Sequence, residues 1–220
     1  MRAAEGAIEE VYVDNETGTC HVKVIGDKKP CGICGSGLLD AVAQLYDEGI
    51  INYRGVFNAE GEEAEKIHPE LRKRFAKSDV GYEFTLTTKE ESAKGIPVVL
   101  CQKDIRELQM AKGAIYAGMR VLMNEMGITI EDVKELLIAG AFGSYIKVDS
   151  ALSIGLFPAL PNGKIRSIGN AASEGGRLAL VSKEERELCD VLARKSEYIE
   201  LSSRLDFQDE YVMALYFPQK

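Results

Sequence analysis

Val133-Lys134-Glu135-Leu136-Leu137-Ile138-Ala139-Gly140-Ala141-Phe142-Gly143 is the stretch whose reading decides the fold. Its apolar part, Val133 to Ala139, is short and runs into a glycine-rich turn, which predicts a buried strand leading into a helix. A second stretch repeats the arrangement. Lys164 to Gly169 predicts another strand, and in Ile168-Gly169-Asn170-Ala171-Ala172 the asparagine caps a helix running towards Val181. In open α/β sheets ligands bind beyond the carboxyl ends of the strands, so both turns fall on one candidate ligand edge. Glycine lets backbone approach a flat ligand, and a helix N-terminus offers unpaired N–H groups to anions. Each turn alone reads first as a tight structural connection; the two together, with matching polarity, favour a nucleotide edge at Gly140, Ala141, Phe142, Gly143, Gly169 and Asn170.

Working outward, Asp104 to Met126 reads as a long helix, with Ile105, Leu108, Ile115, Met119, Leu122 and Met126 at helical spacing and Gly127 closing it. Lys112 falls where this stripe would want an apolar residue. Such a lysine either carries its ammonium to the rim or reaches a ligand. Gln109, three residues away, lies on the same side, so the pair can flank one cleft. Ala111, Ala114 and Gly118 form a strip of small residues that admits another helix. Downstream, a short helix from about Asp149 to Gly155 precedes a loop with Pro158 and Pro161. Tyr198 to Leu201 reads as a strand, and a last amphipathic helix carries Phe207, Tyr211 and Leu215.

Upstream, Ala7 to Ile25 alternates loosely around the polar turn Asp14-Asn15-Glu16-Thr17-Gly18 and predicts a β-hairpin. After Gly32-Ile33-Cys34-Gly35-Ser36-Gly37 comes a helix with Leu38, Val42, Leu45 and Tyr46 on one side, capped by Ser36 and ended at Gly49. Residues 52–100 differ: Asn58 to Lys77 is charged and weakly periodic, and Tyr82 to Leu86 and Val98 to Cys101 are short strands. They read as an inserted subdomain or flap with an acidic surface, the charge run being a solvated face. The fold class is therefore α/β, a mixed sheet flanked by helices in residues 1–51 and 101–220, with an inserted α+β subdomain at 52–100.

The bulk numbers narrow the function. A chain of 220 residues, 45% hydrophobic and 28% charged, can bury a sizeable core. A net charge of −8, from 35 acidic and 27 basic residues, argues against a nucleic-acid footprint. The longest apolar run is far too short to span a bilayer and no leader opens the chain, so the expectation is a cytoplasmic protein away from the membrane. Five cysteines, an odd number, suit a reducing compartment. Cys31-x-x-Cys34 precedes a helix but has no second pair or nearby histidines, so incidental thiols are the better reading. His21 and His68 are isolated. The Gly32–Gly37 run lacks the Lys-Ser/Thr ending of a Walker A loop. No catalytic constellation is visible, and no strand carries an Asp-x-Gly-Thr/Gly phosphate loop.

The order strand, glycine turn, helix, strand, Gly-Asn-Ala-Ala, helix resembles the second lobe of the acetate and sugar kinase, heat-shock chaperone and actin superfamily, whose ATPase lobes have an actin-like, ribonuclease-H-like fold. Gly140-Ala141-Phe142-Gly143 sits where that superfamily has its adenosine loop. The resemblance is closer to the C-terminal domain of reductive activators of corrinoid proteins. It is carried by Met1-Arg2-Ala3-Ala4-Glu5-Gly6-Ala7-Ile8, Gly32-Ile33-Cys34-Gly35-Ser36-Gly37-Leu38, Gln102-Lys103-Asp104-Ile105-Arg106-Glu107-Leu108-Gln109, Ala139 to Gly143, Ile154-Gly155-Leu156-Phe157-Pro158 and the segment Phe207 to Pro218.

That resemblance implies a nucleotide-binding lobe of a protein that uses ATP and Mg2+ to drive reduction of Co(II) corrinoid to Co(I), serving methyltransferase and O-demethylase systems. It implies an iron–sulfur domain and both phosphate loops upstream of Met1, a corrinoid protein as partner and a homodimer. Gly140, Ala141, Phe142 and Gly143 would hold the adenosine, with Gln109 and Lys112 on the opposite wall. Taken alone, the chain is then expected to be a fragment that folds, binds nucleotide weakly and does not turn it over. Two other readings stay open, half of an acyl or sugar kinase and a dimerisation and docking module without activity of its own.

Overall fold

In the computed structural model, described for residues 1–140 and 145–219, the chain opens on the expected hairpin, β1 (Ala7–Asp14) antiparallel to β2 (Thr19–Val24). Ile8, Val11 and Val13 all point inward although Val11 stands three positions after Ile8, which breaks strand alternation. A register shift between Ile8 and Glu10 resolves this, since the extra residue turns the strand so that Val11 faces the core again. The Asp14 carboxylate accepts from the Glu16 and Thr17 amides and closes the turn.

β3 (Gly32–Ile33) pairs parallel to β1, giving the order β2-β1-β3, and leads into α1 (Gly35–Asp47). Val42, Leu45 and Tyr46 of α1 are buried as expected, while Leu38 is only partly so and its neighbour Leu39 takes the buried place. Gly37 sits against β1 so closely that a Cβ there would lie 2.2 Å from the Ile8 carbonyl oxygen. Ser36 does not cap this helix. The N-cap is Cys34, whose thiol bonds the Ile8 carbonyl (3.2 Å) and meets the Ser36 hydroxyl at 3.3 Å, so both side chains serve the β1 contact.

Residues 52–100 hold two short helices, α2 (Glu62–Glu65) and α3 (Pro69–Arg72), and a sheet ordered β4 (Phe75–Ser78), β5 (Gly81–Thr87), β6 (Val98–Cys101). Phe57, Ile67, Leu71, Phe84, Leu86 and Leu100 lie in the same buried cluster as Ile8 and Leu39.

α4 (Gln102–Met126) is opened by Asp104, which accepts from the Cys101 amide at 2.9 Å, and closed by left-handed Gly127. Its buried face corrects the expected stripe. Ile105, Gln109, Lys112, Gly113, Ala117 and Val121 face inward, whereas Ile115, Leu122 and Met126 are exposed, as are Ala111 and Ala114 of the small strip. The reason is α8 (Leu205–Ala214), which packs along α4 with the segment after it; a Cβ on Gly113 would already touch Leu215, Ala214 and Tyr211.

β7 (Glu135–Ala139) and α5 (Val148–Ser153) follow, then β8 (Lys164–Gly169), α6 (Ala171–Val181) and α7 (Lys183–Lys195). β7 is not fully buried. Leu136 and Ile138 pack on the core while Leu137 and Ala139 face out, because β7 and β8 form a two-stranded parallel ribbon covered on one side. Tyr198 to Leu201 forms no strand. No described helix is long and apolar enough to cross a membrane.

Candidate functional site

The two glycine turns come together. β7 and β8 run parallel with Glu135 opposite Lys164 and Ile138 opposite Ser167; the register then slips so that Ala139 faces Gly169. The strands end level, and the Gly140 amide donates to the Gly169 carbonyl at 2.7 Å. Gly140 (φ 97) and Gly169 (φ 64) adopt backbone that side-chain-bearing residues rarely take, and among the described residues a Cβ on either would meet no atom within 4 Å. Glycine thus suits the backbone conformation of each turn. Asn170 caps α6, its Oδ1 accepting from the Ser173 amide at 3.2 Å. That leaves the first amides of α6 beside the ribbon's end, where the helix dipole favours negative charge. Ala141, Phe142 and Gly143 lie outside the described residues.

Gln109 and Lys112 of α4 are buried, 8% and 1% exposed, and hold the C-terminal segment. Gln109 Nε2 donates to the Leu215 carbonyl at 2.8 Å and to the Arg54 carbonyl at 3.2 Å. The Lys112 ammonium donates to the Tyr216 carbonyl and lies 5.3 Å from the centre of the Phe217 ring. Phe217 is itself fixed, its amide on the Tyr53 carbonyl (2.8 Å) and its ring 5.1 Å from that of Tyr46. Burial pushes the Lys112 ammonium down to about 8. An open cleft of about 500 Å³ adjoins it, lined by Lys112, Tyr116, Arg120, Gly155, Glu210 and Tyr216 among others. Of the residues expected to line one site, the structure joins Gly140, Gly169 and Asn170 directly, and gives Gln109 and Lys112 to main-chain carbonyls.

A charged cluster went unnoticed in the sequence. Asp40 of α1 is 2% exposed and accepts from three elements: the Val11 amide of β1 (2.8 Å), the Lys147 ammonium (3.0 Å) and the Ser150 hydroxyl of α5 (2.7 Å). Lys147 also reaches Glu10 at 2.7 Å, and Glu10 meets Lys23. The Lys147 and Lys23 hydrogen bonds hold the Glu10 carboxyl below its usual range. Burial opposes the Lys147 charge, but its bonds to Glu10 and Asp40 outweigh this and raise its pKa. The available signal was an aspartate inside the apolar run Leu38-Leu39-Asp40-Ala41-Val42. Among the described residues no three His, Cys, Asp or Glu side chains converge as a metal site, and all five cysteines are free.

A parallel ribbon turned by glycines into a capped helix, joined to a second mixed sheet, defines a lobe of the ASKHA class. The chain belongs to the family described as the C-terminal domain of RACo, the ASKHA domain, whose model matches residues 1–220. It is similar to the corrinoid activation enzyme RamQ of Eubacterium limosum, 41% identical over 218 residues, which is 99% of this chain and 36% of that protein. It is also similar to the [Co(II) methylated amine-specific corrinoid protein] reductase of Methanosarcina barkeri, 27% identical over 123 residues, 55% of this chain and 23% of the other. Among solved structures, a reductive activator for corrinoid, iron–sulfur protein superposes with a TM-score of 0.87 at 34% identity, over 99% of this chain and 33% of that one. The chain thus spans about a third or less of the length of each of these relatives.

Proposed function

We propose that this chain is the nucleotide-binding lobe of an ATP-dependent activator that returns inactive Co(II) corrinoid protein to Co(I). The observation that carries this is the pair of strand ends joined at Gly140 and Gly169 in a chain of this family. The residues present fit one part of a nucleotide. The turns admit a flat group close to backbone, and α6 offers amides to negative charge. ATP with Mg2+ would be gripped by its phosphates in a longer protein, and an iron–sulfur cluster in a separate domain would supply the single electron that takes Co(II) to Co(I). In the intact protein, a nucleotide that binds a closed arrangement better than an open one shifts that equilibrium by its difference in affinity, and so can bias the partner corrinoid protein's cobalt towards the reduced state. A homodimer and a cytoplasmic setting belong to the same proposal.

The test is calorimetric titration of this chain with ATP and with a non-hydrolysable analogue. Binding in the micromolar to millimolar range, weakened by Gly140→Val, supports the reading. Silence at millimolar nucleotide, both here and in a protein of the relatives' full length, overturns it.

A further inference from the structure

We infer that the cleft between α4 and α8 is a binding site for a small organic monocarboxylate, its charge received by Lys112 and its apolar body by the cleft's aromatic walls. The site is separate from the glycine turns and stands or falls independently of nucleotide binding.

Lys112, Tyr116 and Arg120 follow one another at four-residue spacing on α4 and so line one side of it. With Gly155, Glu210 of α8 and Tyr216 they border the open cleft of about 500 Å³, a volume typical of small-molecule sites. The two cations differ in what answers them. Arg120 meets Glu210 at 3.6 Å, so that pair is neutral as a whole. Lys112 is 1% exposed, and no carboxylate among the described residues pairs with it; its partners are the Tyr216 carbonyl and the Phe217 ring. A buried charge is ordinarily paired. An ammonium has three donors, and this carbonyl takes one of them.

Gly155 keeps the ammonium within reach. A Cβ there would lie 3.6 Å from Lys112 Nζ and 2.9 Å from the Pro218 ring, so a side chain at this position would stand over the ammonium. The class of ligand follows from the charge balance. One unanswered positive charge suits one negative charge and does not suit a polyphosphate. Tyr116, Met213 and Tyr216 beside it offer rings and a thioether to an apolar or aromatic body. A carboxylate oxygen on Lys112 would turn a lone buried charge into a charge-assisted pair. Burial is the one influence that moves this ammonium's pKa, down to about 8, as befits a cation with no counter-charge.

The test titrates the chain at pH 7 with benzoate, benzamide and inorganic phosphate, following the amide resonances of Tyr116, Gly155 and Tyr216 by NMR. Benzoate should bind with a dissociation constant of about 1 mM. Benzamide, with the shape but not the charge, and phosphate, with the charge but no apolar body, should each bind about tenfold more weakly or worse. Phosphate binding as tightly as benzoate would show a plain anion site and overturn the inference, as would benzamide matching benzoate. Lys112→Met should lose about tenfold in benzoate affinity, and Arg120→Gln less than about twofold. Lys112→Met also loses the Tyr216 contact, so the pH profile of the unaltered chain is a second reading. The groups facing Lys112 are Tyr116 and Arg120 from α4, Glu210 from α8, Tyr216 from the segment after it, and Tyr46 of α1 across the Phe217 ring. Benzoate affinity should fall about tenfold from pH 7 to pH 9 as the ammonium loses its proton, and Lys112→Met should show no such fall. A flat profile, unchanged affinity in Lys112→Met, or no response to benzoate at about 50 mM overturns the inference. Displacement of benzoate by ATP would make the cleft part of the nucleotide site and overturn it too.

Discussion

The β1–α1 layer and the β7–β8 ribbon with α6 and α7 are made of the same parts, strands joined to amphipathic helices, yet they end with opposite surfaces. In the first, Ile8, Leu39, Val42 and Leu45 are at most 1% exposed. In the second, no residue from 158 to 212 is buried, and Leu180, Val181, Leu188 and Leu192 are open to solvent. The difference lies in how many layers each element has to pack against. β1 sits between β2 and β3 and is covered by α1, with the β4–β6 sheet adding to the same core. Among the described residues β7 and β8 have only each other as strand partners, and a two-stranded ribbon cannot bury both faces. Periodicity tells which side of an element is apolar; it does not tell what covers that side.

Substitutions on either side of this divide should therefore differ in size. Phe84→Ala, which empties a fully buried ring packed 5.4 Å from that of Phe75, should cost about 4 kcal/mol in denaturant unfolding. Gly37→Ala forces a methyl group against the Ile8 carbonyl and should cost about 3 kcal/mol. Leu188→Ala, in the open layer, should change stability by less than about 0.5 kcal/mol. If Leu188→Ala costs as much as Phe84→Ala, the two regions are not packed differently in solution.

Lys112 sharpens the comparison from the side of charge. Burial lowers its folded pKa to about 8, below the ordinary lysine value of 10.5. Between these two values the unfolded chain holds a proton that the folded chain has released, so this lysine's contribution to stability rises as pH climbs from about 8 towards 10.5. Unfolding of Lys112→Met relative to the unaltered chain, at pH 7.5 and 9.5, should show that rise removed. An identical pH dependence in both would place the ammonium in contact with water.

Much of this architecture was legible in residue order. The hairpin around Asp14–Gly18, the long helix ending at Gly127 and the strands β7 and β8 that run into Gly140 and Gly169 each carry a local signal, and the structure has all of them. What failed depended on distant partners. The α4 stripe was misjudged because Gln109 and Lys112 find carbonyls of residues 215 and 216, more than a hundred positions away. Ser36 looked like a cap because its type and place suit one, but Cys34 holds that position against the Ile8 carbonyl. Tyr198 to Leu201 has strand-forming residues but pairs with no strand among the described residues. Asp40 was passed over because one acidic residue in an apolar helix gives no hint that β1, Lys147 and α5 converge on it.

The most direct measurement is an amide-resolved NMR titration of this chain with ATP. The account predicts that the largest shifts fall on Gly140, Gly169 and the first turn of α6. Shifts confined to the cleft beside Lys112, Tyr116 and Gly155 would contradict it, because nucleotide would then bind away from the glycine turns.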